Sequence, residues 1–402
     1  MSEIGEDSLS RSCFTNEIDM TVLGLFMQET SLAKKSTTRE SQINNSSEWH
    51  FVILECEEGL RTGGPKRDLY NNLGVAWLAL NELDKAEAAL LKAAQYPDAR
   101  AKQFYNLALV HAAKGRKNQA CENYRKAIAL DAHYFEALVN LANLSMEMGD
   151  EEGALEHFRK AHAQRPQDVS VSYLLAALED RYVPKAPEQY VRNLFDQYAP
   201  TFEQQLLNKL NYQVPEALQK MLARHRADIA SKGTSLDLGC GTGIMGQVLS
   251  DYCQSWVGVD LSEKMLEQAR LKSCYDELHA MDLTCYLKKT QRLFSLFVAA
   301  DSFIYMGDLQ PVFLNMQRCA QRNALVAFSI EHCPHNEQMV KLKKNGRYAH
   351  CVEDVVKIAS LCGWQLVEHE YLVLRYQNGR PQMGSLVLLK FQGIGRISRF
   401  WG

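Results

Sequence analysis

The stretch Thr234-Ser-Leu-Asp-Leu-Gly-Cys-Gly-Thr-Gly243 decides the fold. Its first five residues read as a short strand, its glycines as a turn, and the segment Ile244–Tyr252 as the helix that follows. A second strand, Ser255–Val259, then ends at Asp260, 17 residues past Gly243. Gly239, Gly241 and Gly243 let backbone approach a bound group closely. An acid at the end of the second strand suits a pair of ribose hydroxyls. The spacing is Gly-x-Gly-x-Gly, not the Gly-x-Gly-x-x-Gly of nicotinamide and flavin fingerprints, and Asp237 stands two residues before the first glycine.

This arrangement resembles motif I of class I S-adenosylmethionine (SAM) methyltransferases. The resemblance implies SAM as cofactor, with Asp237 and the loop through Gly239, Gly241 and Gly243 at its methionine end and Asp260 on its ribose. Met281-Asp282-Leu283 follows the expected third strand and matches the position whose acid meets the adenine amino group, with Leu261 and Met281 as apolar walls. Further on, Phe294–Leu309, Phe328-Ser-Ile-Glu331 and Asn345-Gly-Arg-Tyr-Ala-His350 are similar to a group of predicted methyltransferases fused to tetratricopeptide repeats. The segment Leu194-Phe-Asp-Gln-Tyr-Ala-Pro-Thr-Phe202 shares that likeness. There Tyr198 and Phe202 read either as a lid over the cofactor or as packing of a helix onto the sheet. The likeness spans residues 68–391. Ser295 departs from it, standing where that group has Asp, and reads as a neutral surface change.

At the C-terminal end, Gln365–Tyr376 and Gln382–Phe391 are strand-rich and separated by Asn378-Gly379, a hairpin signal. The expected domain is therefore an α/β, Rossmann-like class I methyltransferase fold: a mostly parallel seven-stranded sheet closed by a C-terminal antiparallel hairpin.

Upstream, a second architecture announces itself by spacing. Leu73-Gly74, Leu107-Ala108 and Leu141-Ala142 recur every 34 residues, as do Ala86, Ala120 and Ala154. Leu90, Tyr124 and Phe158 keep the same interval, and so do Ala93, Ala127 and Ala161. That period, with small residues where helices cross, is the tetratricopeptide signature of an α-solenoid. A helix over Val169–Glu179 is expected to cap the stack. The repeat groove is expected to take a protein or peptide partner. Asn71, Asn72, Asn106 and Asn140 are either backbone-binding or ordinary solvated groups, and Glu136 and Val75 exclude a carboxylate clamp. The organisation read from sequence is a flexible extension over 1–60, with short elements near Ile18–Met27 and Trp49–Leu54. Repeats occupy 61–180, a connector with the first helices of the second domain 181–232, and the SAM-binding domain 233–402.

The whole chain of 402 residues has a net charge of −3 and is 46% hydrophobic. It can build real cores, and bulk charge disfavours a nucleic-acid or membrane coat. No apolar run reaches membrane-spanning length. The acidic start Met1–Asp7 argues against a secretory leader, and eleven scattered cysteines suggest a reducing, cytoplasmic setting. The spacing of His332-Cys333-Pro334-His335 suits no tetrahedral metal site, so no metal is expected.

Methyl transfer from SAM asks chiefly for alignment, so catalytic groups are less legible than in a hydrolase. Ligands of open α/β sheets sit at the carboxyl ends of the strands. This makes Asp301 and Tyr305 after the fourth strand, and His332 and His350 after the fifth, the acceptor-side candidates. For both histidines an ordinary loop residue is the competing reading. The basic run Lys341–Arg347 reads as a solvated helix end or as steering for an anionic acceptor. Neither an Asn-Pro-Pro-Tyr segment nor a Pro-Cys nucleophile is present, which disfavours methylation of DNA bases. Two functions remain open: an active methyltransferase acting on a protein or small-molecule acceptor, and a tetratricopeptide scaffold whose methyltransferase-like domain is inactive.

Overall fold

The computed structural model describes residues 39–393 apart from positions 200, 209, 231, 334–339 and 378. The element expected near Ile18–Met27 lies outside the described residues. The described chain forms two compact units that divide between Ala132 and His133.

The first unit is helical: α1 (Arg39–Thr62), α2 (Lys66–Ala79), α3 (Leu83–Ala94), α4 (Ala101–Ala113) and α5 (Lys117–Leu130). Helix α1 contains the short element expected near Trp49–Leu54 and extends it through the last third of the stretch read as flexible. Its polar residues mask a narrow apolar side on which Ile53 and Cys56 are buried, and packing of that kind supplies most helical stability. In the repeats, Ala86, Leu90, Ala93, Ala108, Ala120, Tyr124 and Ala127 are fully buried. Gly74 shows why the period needs a small residue: a Cβ there would stand 2.4 Å from Leu90 Cγ. Two of the asparagines, Asn71 and Asn106, are engaged with each other. Asn71 and Asn106 are buried, and Asn106 Nδ2 donates to Asn71 Oδ1 at 2.8 Å, because an amide inside a helix stack must find a partner there.

The second unit begins with α6 (Phe135–Met148), α7 (Glu151–Gln164) and α8 (Val169–Leu178). Asp150 and Asp168 cap the latter two, accepting from Gly153 N and from Ser170 N and Val171 N. Helix α8 packs against later chain: the Tyr173 ring lies 4.9 Å from that of Tyr190, tilted by 52°, and its hydroxyl donates to the Gly346 carbonyl at 2.8 Å. The connector after α8 is likewise tied down. Ala186 N donates to the Tyr305 carbonyl, and Gly307 N and Asp308 N to the Pro184 carbonyl, each at 2.9 Å.

Helices α9 (Glu188–Tyr198), α10 (Phe202–Asn208) and α11 (Val214–Arg224) lead into the sheet. Its successive elements are β1 (Thr234–Leu238), α12 (Ile244–Val248), β2 (Ser255–Asp260), α13 (Glu263–Lys272), β3 (Glu277–Ala280), α14 (Leu283–Lys289) and β4 (Phe294–Ala299). After these come α15 (Gln310–Cys319), β5 (Ala320–His332), β6 (Val340–Leu342), β7 (Tyr348–His350), α16 (Val352–Leu361), β8 (Trp364–Gln377) and β9 (Arg380–Phe391). Strands β3-β2-β1-β4-β5 are parallel neighbours. Strand β9 runs antiparallel to β5 and pairs with β8, which completes the seven expected strands. Two three-residue strands are additional: β7 joins the end of β5 in parallel and β6 pairs with β7. They place residues 348–350, read from sequence as loop, in the sheet.

Ser295 is not on the surface. It is buried on β4 and its Oγ donates to the Thr234 carbonyl; a Cβ on Gly233 would lie 2.0 Å from the Ser295 Oγ, so the serine needs a glycine beside it.

Candidate active site

A cavity of about 1190 Å³, counting its open mouth, lies at the carboxyl ends of β1, β2 and β4. Gly239, Gly241 and Thr242 line it, and so do Asp260, Leu261, Asp282, Leu283, Asp301, Ser302 and Tyr305. The chain leaves β1 at Gly239 with φ +81°, and a Cβ there would meet Ser302 Cβ at 2.5 Å. Only glycine suits such a turn at such a distance.

Asp260 holds this loop as well as facing the cavity. Its Oδ2 accepts from Gly241 N at 2.9 Å and its Oδ1 from Ser262 N at 2.8 Å. Burial raises its pKa to about 6, against those backbone donors. Asp237 stands one layer deeper, 1% exposed, and accepts from the Tyr275 hydroxyl at 2.6 Å. Burial pushes it up to about 7. The same hydroxyl accepts from Gly246 N at 3.1 Å, so Tyr275, which the sequence reading missed, braces the loop. Neither Asp237 nor Gly243 is among the lining residues; Gly243 is the turn residue that precedes α12. Two hydroxyls in the cavity wall, Thr242 Oγ1 and Ser302 Oγ, are buried with no hydrogen-bond partner. A polar ligand at the glycine loop would satisfy both.

On the β2–β3 side, Asp282 Oδ1 accepts from Cys285 N and caps α14, while Oδ2 accepts from Lys185 Nζ at 2.5 Å. Met281, expected as an apolar wall, packs against the hydrophobic core instead, and Leu283 lines the cavity in its place. Helix α9 covers this side. Asp196 accepts from Ser262 Oγ at 2.6 Å, and Arg192 Nε donates to the Leu261 carbonyl at 3.3 Å. Phe195 and Phe202 face the cavity. Tyr198 does not: its ring meets Phe195 edge-on at 6.4 Å, so the helix presents Phe195 inward instead.

The β4–β5 side holds a buried ionic cluster. Arg375, on β8 and 2% exposed, places Nη1 2.5 Å from Asp301 Oδ2 and Nη2 on Glu331 Oε1. Glu331 also accepts from Lys343 Nζ at 2.7 Å and lies 3.8 Å from Arg347. Burial alone would raise the Glu331 pKa, but the charges of Arg375, Arg347 and Lys343 outweigh it and hold it at about 2. Asp301 is fixed further by Ser329, whose Oγ donates to Oδ1 at 2.7 Å. The run Lys341–Arg347 is thus a strand pair and turn that sends Lys343 and Arg347 inward, not a helix end.

The two histidines leave the site. His350 is buried on β7, away from the cavity, and burial lowers its pKa to about 4. His332 turns to the opposite side, its ring 5.2 Å from Tyr371. Successive residues of β5 point to opposite faces, so Glu331 enters the cluster and His332 cannot. Among the described residues no group of three His, Cys, Asp or Glu is placed to hold a metal, and the Pro334–His335 half of that motif lies outside them. No described helix is long and apolar enough to cross a membrane.

The family model described as "Methyltransferase domain" matches residues 236–323, and a tetratricopeptide-repeat model matches residues 111–178. A curated relative, the 18S rRNA (guanine-N(7))-methyltransferase of Bos taurus, is 56% identical over 34 residues. That match covers 8% of this chain and 12% of the relative's length. Among solved structures, a SAM-dependent methyltransferase from Clostridium acetobutylicum aligns at 16% identity and TM-score 0.37, covering 50% of this chain and 99% of that one. The magnesium protoporphyrin IX methyltransferase of Synechocystis with bound SAM aligns at 15% and 0.35, covering 60% and 97%. The chain thus carries a methyltransferase domain together with a tetratricopeptide-repeat region.

Proposed function

We propose that the chain is a SAM-dependent methyltransferase whose tetratricopeptide region engages a protein or peptide partner. The observation that carries this reading is the glycine loop tied to Asp260 beside two unpartnered hydroxyls, Thr242 and Ser302, in one cavity. In this reading Asp260 holds the ribose, and Asp282 with Leu261 and Leu283 holds the adenine. Gly239, Gly241 and Thr242 hold the methionine end. The cofactor brings a sulfonium methyl already activated for displacement, so the chain's part is alignment and exclusion of water. Phe195 and Phe202 supply the dry cover. Asp301 and Tyr305 face the acceptor. Asp301 is committed to Arg375 and Ser329, so its role is to fix the wall, and a general base is needed only for an acceptor protonated at working pH. The same reading assigns partner binding to residues 61–180 and the cofactor to 233–402. The free cysteines of the described chain suit a reducing compartment, the cytoplasm.

Replacing Asp260 by Ala tests the assignment. Hydrogen bonds to a charged group are worth about 1.5–3 kcal/mol each, so calorimetric titration should show SAM affinity falling at least ~100-fold, with circular dichroism unchanged. Retained affinity refutes the cofactor placement.

A further inference from the structure

We infer that the acceptor end of the cavity seats an uncharged, largely apolar molecule bearing a hydroxyl group, with Tyr212 as its hydrogen-bond partner. The inference rests on the methyltransferase reading and deepens it by naming the acceptor's chemical class. With the glycine loop, Asp260 and Asp282 given to the cofactor, what remains of the wall is mostly hydrocarbon: Leu206, Leu210, Pro215, Ile244 and Met245 line it. Tyr212 stands among them, 8% exposed, in the same packed cluster as Leu206 and Met245. The charged groups of the wall are balanced and engaged. Its cations are Lys185, Arg347 and Arg375, and its acids are Asp260, Asp282 and Asp301. Lys185 lies on Asp282 and Arg375 on Asp301, while Asp260 takes the amides of Gly241 and Ser262. Arg347 lies 3.8 Å from Glu331 and is hydrogen-bonded to Tyr305.

A charged acceptor would therefore give up its water in an apolar chamber with no counter-ion free to meet it. An uncharged polar group has a partner there. The Tyr212 hydroxyl makes no hydrogen bond among the described residues, although the side chain is buried in the wall. Burial and the charge of Asp301 keep it a neutral phenol, which can donate one hydrogen bond and accept another. Tyr305 offers a second group of the same kind. A guanidinium only donates, so the Tyr305 oxygen accepts from Arg347 and its own O–H is left to point elsewhere. Buried hydroxyls of this sort call for a ligand atom that completes them. A hydroxyl on the ligand does so without bringing a charge, and the hydrocarbon wall takes the rest of the molecule.

The full chain, saturated with S-adenosylhomocysteine, is titrated calorimetrically at pH 7 with 4-ethylphenol, ethylbenzene, 4-ethylbenzoate and 4-ethylbenzylamine, the last a cation at that pH. The phenol should bind at least tenfold more tightly than either ion. It should bind about fivefold more tightly than ethylbenzene, the worth of one neutral hydrogen bond. Tyr212→Phe should erase the margin over ethylbenzene while leaving the affinities for ethylbenzene and for S-adenosylhomocysteine within twofold. Binding of either ion as tight as that of the phenol, or no binding of the phenol, overturns the inference on the unmodified chain alone. A phenol margin that survives Tyr212→Phe also overturns it. So does a loss of S-adenosylhomocysteine affinity in a folded Tyr212→Phe chain, by assigning the tyrosine to the cofactor. Failure of the unmodified chain to bind S-adenosylhomocysteine removes instead the reading beneath it.

Discussion

Replacing Glu331 by Gln keeps the volume of the side chain and removes the charge at the centre of the ionic cluster. The carboxyl is held at about 2 by Arg375, Arg347 and Lys343, against 4.5 for an ordinary glutamate. At about 1.4 kcal/mol per pKa unit, that difference stabilises the second unit by about 3 kcal/mol near neutral pH. Because the folded pKa is depressed, the contribution is complete above pH 4.5 and disappears as pH falls through 2. The chain has two compact units, so a single unfolding midpoint would blur the effect. Hydrogen exchange of peptides from β5, β8 and β9 reads it locally. The variant should exchange about 100-fold faster than the parent at pH 7, the equivalent of 3 kcal/mol. At pH 3 the ratio should shrink to about tenfold, since the unfolded glutamate is then protonated while the folded one is still largely charged. Equal exchange at pH 7, or a ratio that grows on acidification, would refute the electrostatic account of this cluster.

Gly74→Ala places a methyl group 2.4 Å from Leu90 Cγ and should destabilise the first unit by about 1–3 kcal/mol, read as a lower melting temperature of that unit. Tyr275→Phe leaves the Asp237 carboxyl buried without its side-chain donor. It should cost about 1–3 kcal/mol and weaken SAM binding, both measurable on one purified variant. Burial raises Asp260 to about 6, so if its carboxylate holds the ribose, SAM affinity should fall about fivefold between pH 6 and pH 5. A flat calorimetric profile over that range would sink this assignment.

What was legible in the sequence was periodic or local. Residues 34 apart announced the repeats, and strand, glycine turn and strand announced the sheet around Asp237 and Asp260. What was not legible depends on partners far away in the chain. Arg375 looks like one polar residue in an edge strand until β8 and β9 carry it beside Asp301 and Glu331, 74 and 44 residues away. Lys343 and Arg347 read as a basic run because nothing local reveals that the turn between β6 and β7 faces inward. His332 failed as a candidate through strand alternation: its neighbour Glu331 takes the inward position. Tyr198 and Met281 stand three and two residues from the residues that line the cavity in their place, Phe195 and Leu283. Motif spacing fixes a region more firmly than it fixes a face. Helix α1 was hidden by its polar composition, since Ile53 and Cys56 are a small apolar minority on an otherwise solvated segment.

The central claim is that the cavity at the glycine loop is a SAM site. Its most direct test is calorimetric titration of the intact chain with SAM and with S-adenosylhomocysteine. One site per chain with micromolar affinity, about −8 kcal/mol, is expected for both. A well-folded chain that binds neither contradicts it.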